Sequence, residues 1–387
     1  MEFLTAMGKA LTSLPFTLLA FLFVLTIVVF VHEFGHFIVG RWCGIGVTAF
    51  SIGFGQELIG WTDRRGTRWK LSAIPLGGYV KFVGDVNGAS VPDQDTLSHM
   101  SAAERAVSFH HQNLAKRAAT VAAGPIANFL LAIAIFGGIA YVAGRTVLVP
   151  RVEAVQAGSA AERAGFEPGD LVVSINGRSI SSFSDMQRII GASAGETLNV
   201  VVERKGEQTP LTATPDLKEQ DTPFGKQRVG LLGLQASRDK ADIKTVTYGP
   251  VGALQAGVQE TWYVVERTFD YLGKLIVGRE STDQLSGPIR IAQVSGQVAH
   301  LGGLAGLISL VSVLSVSIGL INLFPIPLLD GGHLLFYAIE AVRGRPLSER
   351  AQEIGFRIGL AIVVMLMLFA TWNDIVHLGA SFVARGT

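Results

Sequence analysis

His32-Glu33-Phe34-Gly35-His36 carries residue types and a spacing that suit metal-assisted hydrolysis. On a helix, His32 and His36 stand one turn apart, about 40° around the axis, so both imidazoles can reach one divalent cation. Glu33 falls at the edge of that face, where its carboxylate can take a proton from water that the cation activates. Two histidines do not complete a catalytic zinc site; a third protein ligand is wanted, with one position left for water. The best candidate is Asp330, in the run Asn322-Leu-Phe-Pro325-Ile-Pro327-Leu-Leu-Asp330-Gly331-Gly332-His333. His333 is its rival. Asp330 is preferred because a carboxylate in lipid is the costlier residue to leave without a partner.

The surroundings of the motif are apolar. Leu14 to Val31 holds no charged residue, and the apolar character resumes through Phe37–Gly40. At about 1.5 Å per helical residue, Phe16–Gly40 covers roughly 37 Å, more than the ~30 Å hydrocarbon slab. Ionisable side chains in such a run are expensive in lipid, and a shared cation is a partner that offsets the cost. With 49% hydrophobic residues and a mean hydropathy of +0.41, the chain is too apolar for an ordinary soluble enzyme. Its 387 residues suffice for a membrane bundle plus one soluble domain. The net charge of +1 argues against a nucleic-acid partner. The single cysteine, Cys43, excludes an internal disulfide framework and reads as a small buried apolar residue. The first apolar run is too long for a cleavable signal peptide.

These features predict a polytopic α-helical membrane protein with four transmembrane helices. Residues 1–41 form the first span, 118–144 the second, 301–333 the third, and 358–387 the fourth with a C-terminal tail. Orientation follows from lysine and arginine in the loops. Between the first two spans lie Arg41, Arg64, Arg65, Arg68, Lys70, Lys81, Arg105, Lys116 and Arg117; residues 334–357 hold Arg343, Arg345 and Arg350, with Arg357 at the edge of the fourth span. The termini offer little beyond Lys9 and Arg385. Both basic loops are therefore expected on the cytoplasmic side, with both termini and residues 145–300 across the membrane. Pro325 and Pro327 break the helix ladder of the third span, and irregular backbone at membrane depth is tolerated where it is buried in protein or lines a wet cavity. Asp330 and His36 then match in depth, toward the cytoplasmic face.

Taken with Gly124-Pro125-x-x-Asn128 in the second span and the late Leu329-Asp330-Gly331, the motif resembles the site-2 protease family of intramembrane zinc metalloproteases. Within that family it is most similar to the bacterial regulator of sigma-E protease branch. The resemblance implies a hydrolase of the bacterial inner membrane, with Zn2+ held by His32, His36 and Asp330 and Glu33 as catalytic base. It implies a substrate-contacting or transition-state-stabilising role for Asn322. The partners it implies are membrane lipid and a single-pass transmembrane substrate such as an anti-sigma factor, already trimmed by an earlier protease. Gly124-Pro125 can kink the second span and free backbone groups near Asn128, which then either contacts substrate or hydrogen-bonds another helix.

Residues 145–240 read as an inserted, mainly β domain, similar to a periplasmic PDZ domain. Gly165–Gly177 contains a turn, an alternating strand and an Asn176-Gly177 hairpin signal. Leu198–Glu203 reads as a further strand and Ser184–Ile190 as a helix capped by Ser182. Such domains bind extended chain ends by strand addition; a spacer without a ligand is the plainer alternative. Residues 241–300 read as a linker with amphipathic helices. Within 42–117, Phe50–Gly55 and Ile74–Phe82 flank a polar turn at Asp63–Gly66, the pattern of hairpins beside a membrane helix. The family carries there a membrane-associated β element that can pair with substrate backbone, which makes Gly53 and Gly55 candidate substrate contacts. A loop packed under the bundle is the alternative. His99, His110, His111, His300 and His377 read as solvated or interfacial.

Two other function classes fit parts of the pattern. A membrane-anchored PDZ adaptor or chaperone with a structural metal site would need a fourth protein ligand. A divalent-metal transporter would also show broken helices and intramembrane ligands. The two halves show no internal repeat, however, and transport gives Glu33 no required role.

Overall fold

In the computed structural model the uncharged run after Leu14 belongs to one long helix, α1 (Glu2–Trp42). The structure describes residues 2–384 apart from 89–92, 223–224, 238, 240–241, 279, 281 and 283–285; Arg385 and the side chains of Lys9 and His377 lie outside the described residues. Gly44, with φ of 81°, turns the chain out of α1 into two long strands, β1 (Val47–Thr62) and β2 (Arg68–Phe82). The predicted polar turn joins them: Asp63 Oδ1 accepts the backbone N–H groups of Arg65 (2.8 Å) and Thr67 (2.9 Å). Both strands bend midway, so that Ala49–Ile52 lies opposite Gly78–Lys81 and also opposite Arg68–Leu71. Short helices α2 (Gln94–His99) and α3 (Ala102–Val107) lead on to α4 (Leu114–Ala143), which continues through Pro125.

Residues 138–253 and 271–285 form a compact unit of their own. Its strands are β3 (Arg145–Leu148), β4 (Val152–Val155), β5 (Leu171–Ile175), β6 (Arg178–Ser179), β7 (Leu198–Arg204), β8 (Glu207–Ala213), β9 (Asp216–Thr222), β10 (Gly225–Leu231), β11 (Leu234–Ala236) and β12 (Ile243–Val246). Helices α5 (Ala160–Arg163) and α6 (Phe183–Ala192) lie among them. The main sheet runs β6-β5-β7-β8, while β4 pairs with β11, β3 with β12 and β9 with β10. Strand alternation explains the core: Leu198, Val200 and Val202 of β7 point inward against Phe166, Val172, Ile175, Phe183 and Met186. Asn176 (φ 50°) and Gly177 (φ 77°) make the tight turn that their sequence signals. Ser182 caps α6, its hydroxyl accepting the Asp185 N–H at 3.0 Å.

The rest of the chain makes the other unit, through α7 (Pro250–Ile276), α8 (Pro288–Leu323), α9 (Asp330–Arg343) and α10 (Glu349–Ala384). Among the described residues, four helices are long and apolar enough to cross a membrane: α1, α4, α8 and α10. Val24 and Val28 of α1 and Val311 of α8 form a core shared by α1, α8 and α4, with Leu131 and Ile135 from α4. A second core binds the hairpin to the helices, through Phe37, Phe50, Val80, Phe82, Phe109 and Val121. The third span differs from the sequence reading. Its helix begins at Pro288, is broken at Gly303 (φ 56°, ψ −146°) and stops at Leu323. It stops there because Phe324 precedes a proline, which excludes it from the helical region, and its ψ is 143°. Residues 334–343, read above as loop, continue α9 instead.

Candidate active site

The two ligand histidines come from one face of α1, and the carboxylate comes from the first residue of α9. His32 Nε2 lies 3.1 Å from Asp330 Oδ2, His36 Nε2 lies 3.4 Å from Asp330 Oδ1, and the two Nε2 atoms are 3.2 Å apart. Both imidazoles are buried. The break after α8 delivers Asp330: a Cβ on Gly331 would overlap the carbonyls of Leu323 and Phe324, and one on Gly332 would overlap that of Ile326. Only glycine allows this tight a turn. Leu328 is held at φ 98°, a strained conformation for leucine, two residues before the carboxylate.

These groups fit a divalent cation. Ligand bonds of about 2.0–2.1 Å in a tetrahedral shell put neighbouring donors roughly 3.3 Å apart, the spacing seen here. Asp330 Oδ2 is a buried oxygen that makes no well-formed hydrogen bond. Such an acceptor costs about 1–3 kcal/mol when left alone, and a bound cation removes that penalty. Two imidazoles and one carboxylate are a donor set that suits catalytic zinc. The three-residue set leaves room for water or substrate. His333 stays out of it, buried with its ring 5.4 Å from that of Phe356.

The outer partners set the tautomers. His36 Nδ1–H donates to the Thr120 carbonyl at 2.9 Å. A carbonyl can only accept, so the neutral ring keeps its Nε2 lone pair for the metal. A Cβ on Gly124 would overlap the His36 ring, and one on Gly35 would overlap the Ala123 carbonyl, so α1 and α4 meet almost backbone to backbone. Asn128 is fully buried, with its amide 3.3 Å from His32 Nδ1 and its Oδ1 without a partner. Turned over, that amide lets Oδ1 accept the His32 Nδ1–H and frees Nε2 for the cation. Asn128 of α4 thus hydrogen-bonds a ligand on another helix, one of the two roles its sequence left open.

Glu33 follows His32 on α1, with His36, His32 and Asp330 around its carboxylate and the Val80 N–H of β2 beside it. Gly53 (φ 90°) and Gly55 (φ 83°) take left-handed conformations where β1 bends; that conformational need is sufficient reason for both glycines. Asn322 is half-buried on the last turn of α8, on the segment leading to Asp330. Two features escaped the sequence reading. The Thr120 carbonyl and Val80 N–H are backbone groups with no residue signature. His110, read as solvated or interfacial, is paired with the buried Asp85 at 2.8 Å, a contact between residues whose spacing gives no hint of it.

Comparison with known proteins agrees with this chemistry. The model of peptidase family M50 matches residues 20–366. A protein of Agrobacterium fabrum named "Putative zinc metalloprotease" is 54% identical over 92% of this chain and 94% of its own length. One of the same name from Rhizobium meliloti is 52% identical, covering 95% of this chain and 99% of its own. Metalloprotease MmpA of Caulobacter vibrioides is 42% identical over 92% and 95%. With a family match that runs from the first spanning helix into the last, this chain belongs to peptidase family M50 and is a membrane zinc metalloprotease.

Proposed function

We propose that the protein cuts a peptide bond within or next to the transmembrane segment of a single-pass membrane protein, in regulated intramembrane proteolysis of an anti-sigma-factor-like substrate. The observation that carries this reading is where the ligand cluster lies. His32 and His36 sit on a helix able to span a bilayer, and Asp330 reaches them from the break that follows another such helix. A transmembrane segment meets a site so placed; a soluble peptide does not.

His32, His36 and Asp330 would hold the zinc, which when bound would supply Lewis acidity for the scissile carbonyl and a lowered pKa for water. Glu33 takes the proton of the attacking water and hands it to the leaving amine. Thr120 and Asn128 hold the two imidazoles in register. A substrate helix hides its carbonyls in its own hydrogen bonds and has to unwind; the outer edge of β2 offers replacement partners. We assign the Asn322 amide to the substrate carbonyl or the transition state. The four-stranded sheet with its capped α6 supports a PDZ-like domain that binds an extended chain end by strand addition. The lysines and arginines of the two basic loops support an orientation with that domain and both termini in the periplasm and the site toward the cytoplasmic face of the inner membrane.

The test uses the purified full chain and a single-span substrate. Wild type cleaves it; Glu33→Gln retains zinc and loses about 10²–10⁴-fold in rate. Cleavage surviving in the variant would remove the assigned base, and metal flux into liposomes would favour transport.

A further inference from the structure

β2 does more than offer an edge, because it also grips α1 beside the base. Successive residues of a strand face opposite ways, and Gly77 and Gly78 use both faces. A Cβ on Gly77 would come 2.6 Å from Cε2 of Phe54, the residue held between the two left-handed glycines of β1. A Cβ on Gly78 would lie 2.9 Å from Glu33 Cγ, 2.9 Å from Val29 Cγ1 and 2.8 Å from the Ser51 carbonyl oxygen. Gly78 is not one of the positive-φ glycines, so space and not backbone conformation excludes a side chain there. Val29 and Glu33 are one turn apart, so the strand lies along a single stripe of α1. Two residues further on, the Val80 N–H meets the Glu33 carboxylate.

The three neighbours of Gly78 differ in how far they can yield. Ser51 is fully buried, and its hydroxyl is tied to Ser72 Oγ and the Gly53 carbonyl, each at 3.0 Å. Val29 is stiff at χ1, as β-branched residues on helices are. Glu33, with its longer side chain, is the softest of the three. A side chain at position 78 would therefore move the base first.

We propose that Gly78 is a positioning residue: its bare Cα lets β2 press on α1 and fixes the Glu33 side chain toward His32, His36 and Asp330. The strand edge offered to substrate and the support of the base are then one element. This rests on Glu33 being the base.

Steady-state cleavage of a single-span substrate by the zinc-loaded full chain tests it. A displaced reacting group costs about 10²-fold, so Gly78→Ala is expected to lose at least roughly tenfold in kcat, with KM within about twofold and zinc content unchanged. Val29→Ala added to Gly78→Ala removes one clash and restores part of kcat. Should Gly78→Ala alone fail to fold, as judged by zinc content and melting, the double variant is read instead, against the same kcat and KM criteria. Wild-type kcat in the variant, or a loss confined to KM, overturns the proposal. Glu33→Gln, run alongside, separates the two levels: an inactive Glu33→Gln with a fully active Gly78→Ala sinks only this inference, whereas an active Glu33→Gln sinks the base assignment beneath it.

Discussion

Asn128 reaches the metal only through His32. Hydrogen-bond partners of metal-binding histidines fix the ring's tautomer, and their loss costs about 10–100-fold in metal affinity. Asn128→Ala is expected to weaken zinc binding by that factor in competition with a chromophoric chelator, while Asn128→Asp, which keeps an acceptor, retains most of it. Unchanged affinity in Asn128→Ala would remove the orienting role. Gly124→Ala is expected to displace the His36 imidazole, because the new methyl group overlaps the ring; metal analysis should find the purified variant depleted of zinc. The histidine pair was legible because the spacing of four residues is fixed by the helix itself. The job of Asn128 was not, since its partner lies 96 residues away, and only the packing of α1 on α4 brings them together.

Among the elements, α10 contributes no ligand from its described residues yet secures the segment that does. Asp374 of α10 is buried and accepts the N–H groups of Gly287 (2.9 Å) and Arg290 (3.0 Å), capping α8 from a neighbouring helix. At the other end of α8, Gly359 of α10 has no room for a side chain against the Pro327 carbonyl, just before Asp330. Hydrogen bonds to charged groups contribute about 1.5–3 kcal/mol, so Asp374→Ala is expected to destabilise the helical bundle by that order, read as a lower melting temperature. A melting curve identical to wild type would contradict the cap. The helix-breaking prolines after α8 were visible in the sequence because proline's rules are local. The extent of α9 was not, since its 14 residues are too few to read as a span and its amphipathic pattern resembles a polar loop.

At the scale of the whole molecule, the two units answer to different chemistry. The 138–253 unit rests on an apolar core with a buried ion pair: Asp170 receives Arg204 Nε and Nη2, each at 2.8 Å. Burial alone would raise the Asp170 pKa, but the hydrogen bonds from Arg204 and the Glu167 N–H outweigh it and hold the carboxyl below its usual value. A folded-state pKa below the unfolded value of about 3.9 gives stability that is complete above that value and is lost as pH falls through the folded one. Thermal melting of the full chain is therefore expected to show this unit weakening as pH falls below about 4, and Asp170→Asn should flatten that dependence. The strands of this unit were readable from alternation and from Asn176-Gly177. The doubled pairing of β1 with β2 was not, because register within a bent hairpin is set by what the hairpin packs against.

Zinc K-edge absorption on the purified full chain tests the central claim most directly. The geometry predicts two imidazoles and carboxylate oxygen at about 2.0–2.1 Å, with one imidazole lost in His36→Ala and the carboxylate oxygen lost in Asp330→Ala. A spectrum unchanged by either substitution would contradict it.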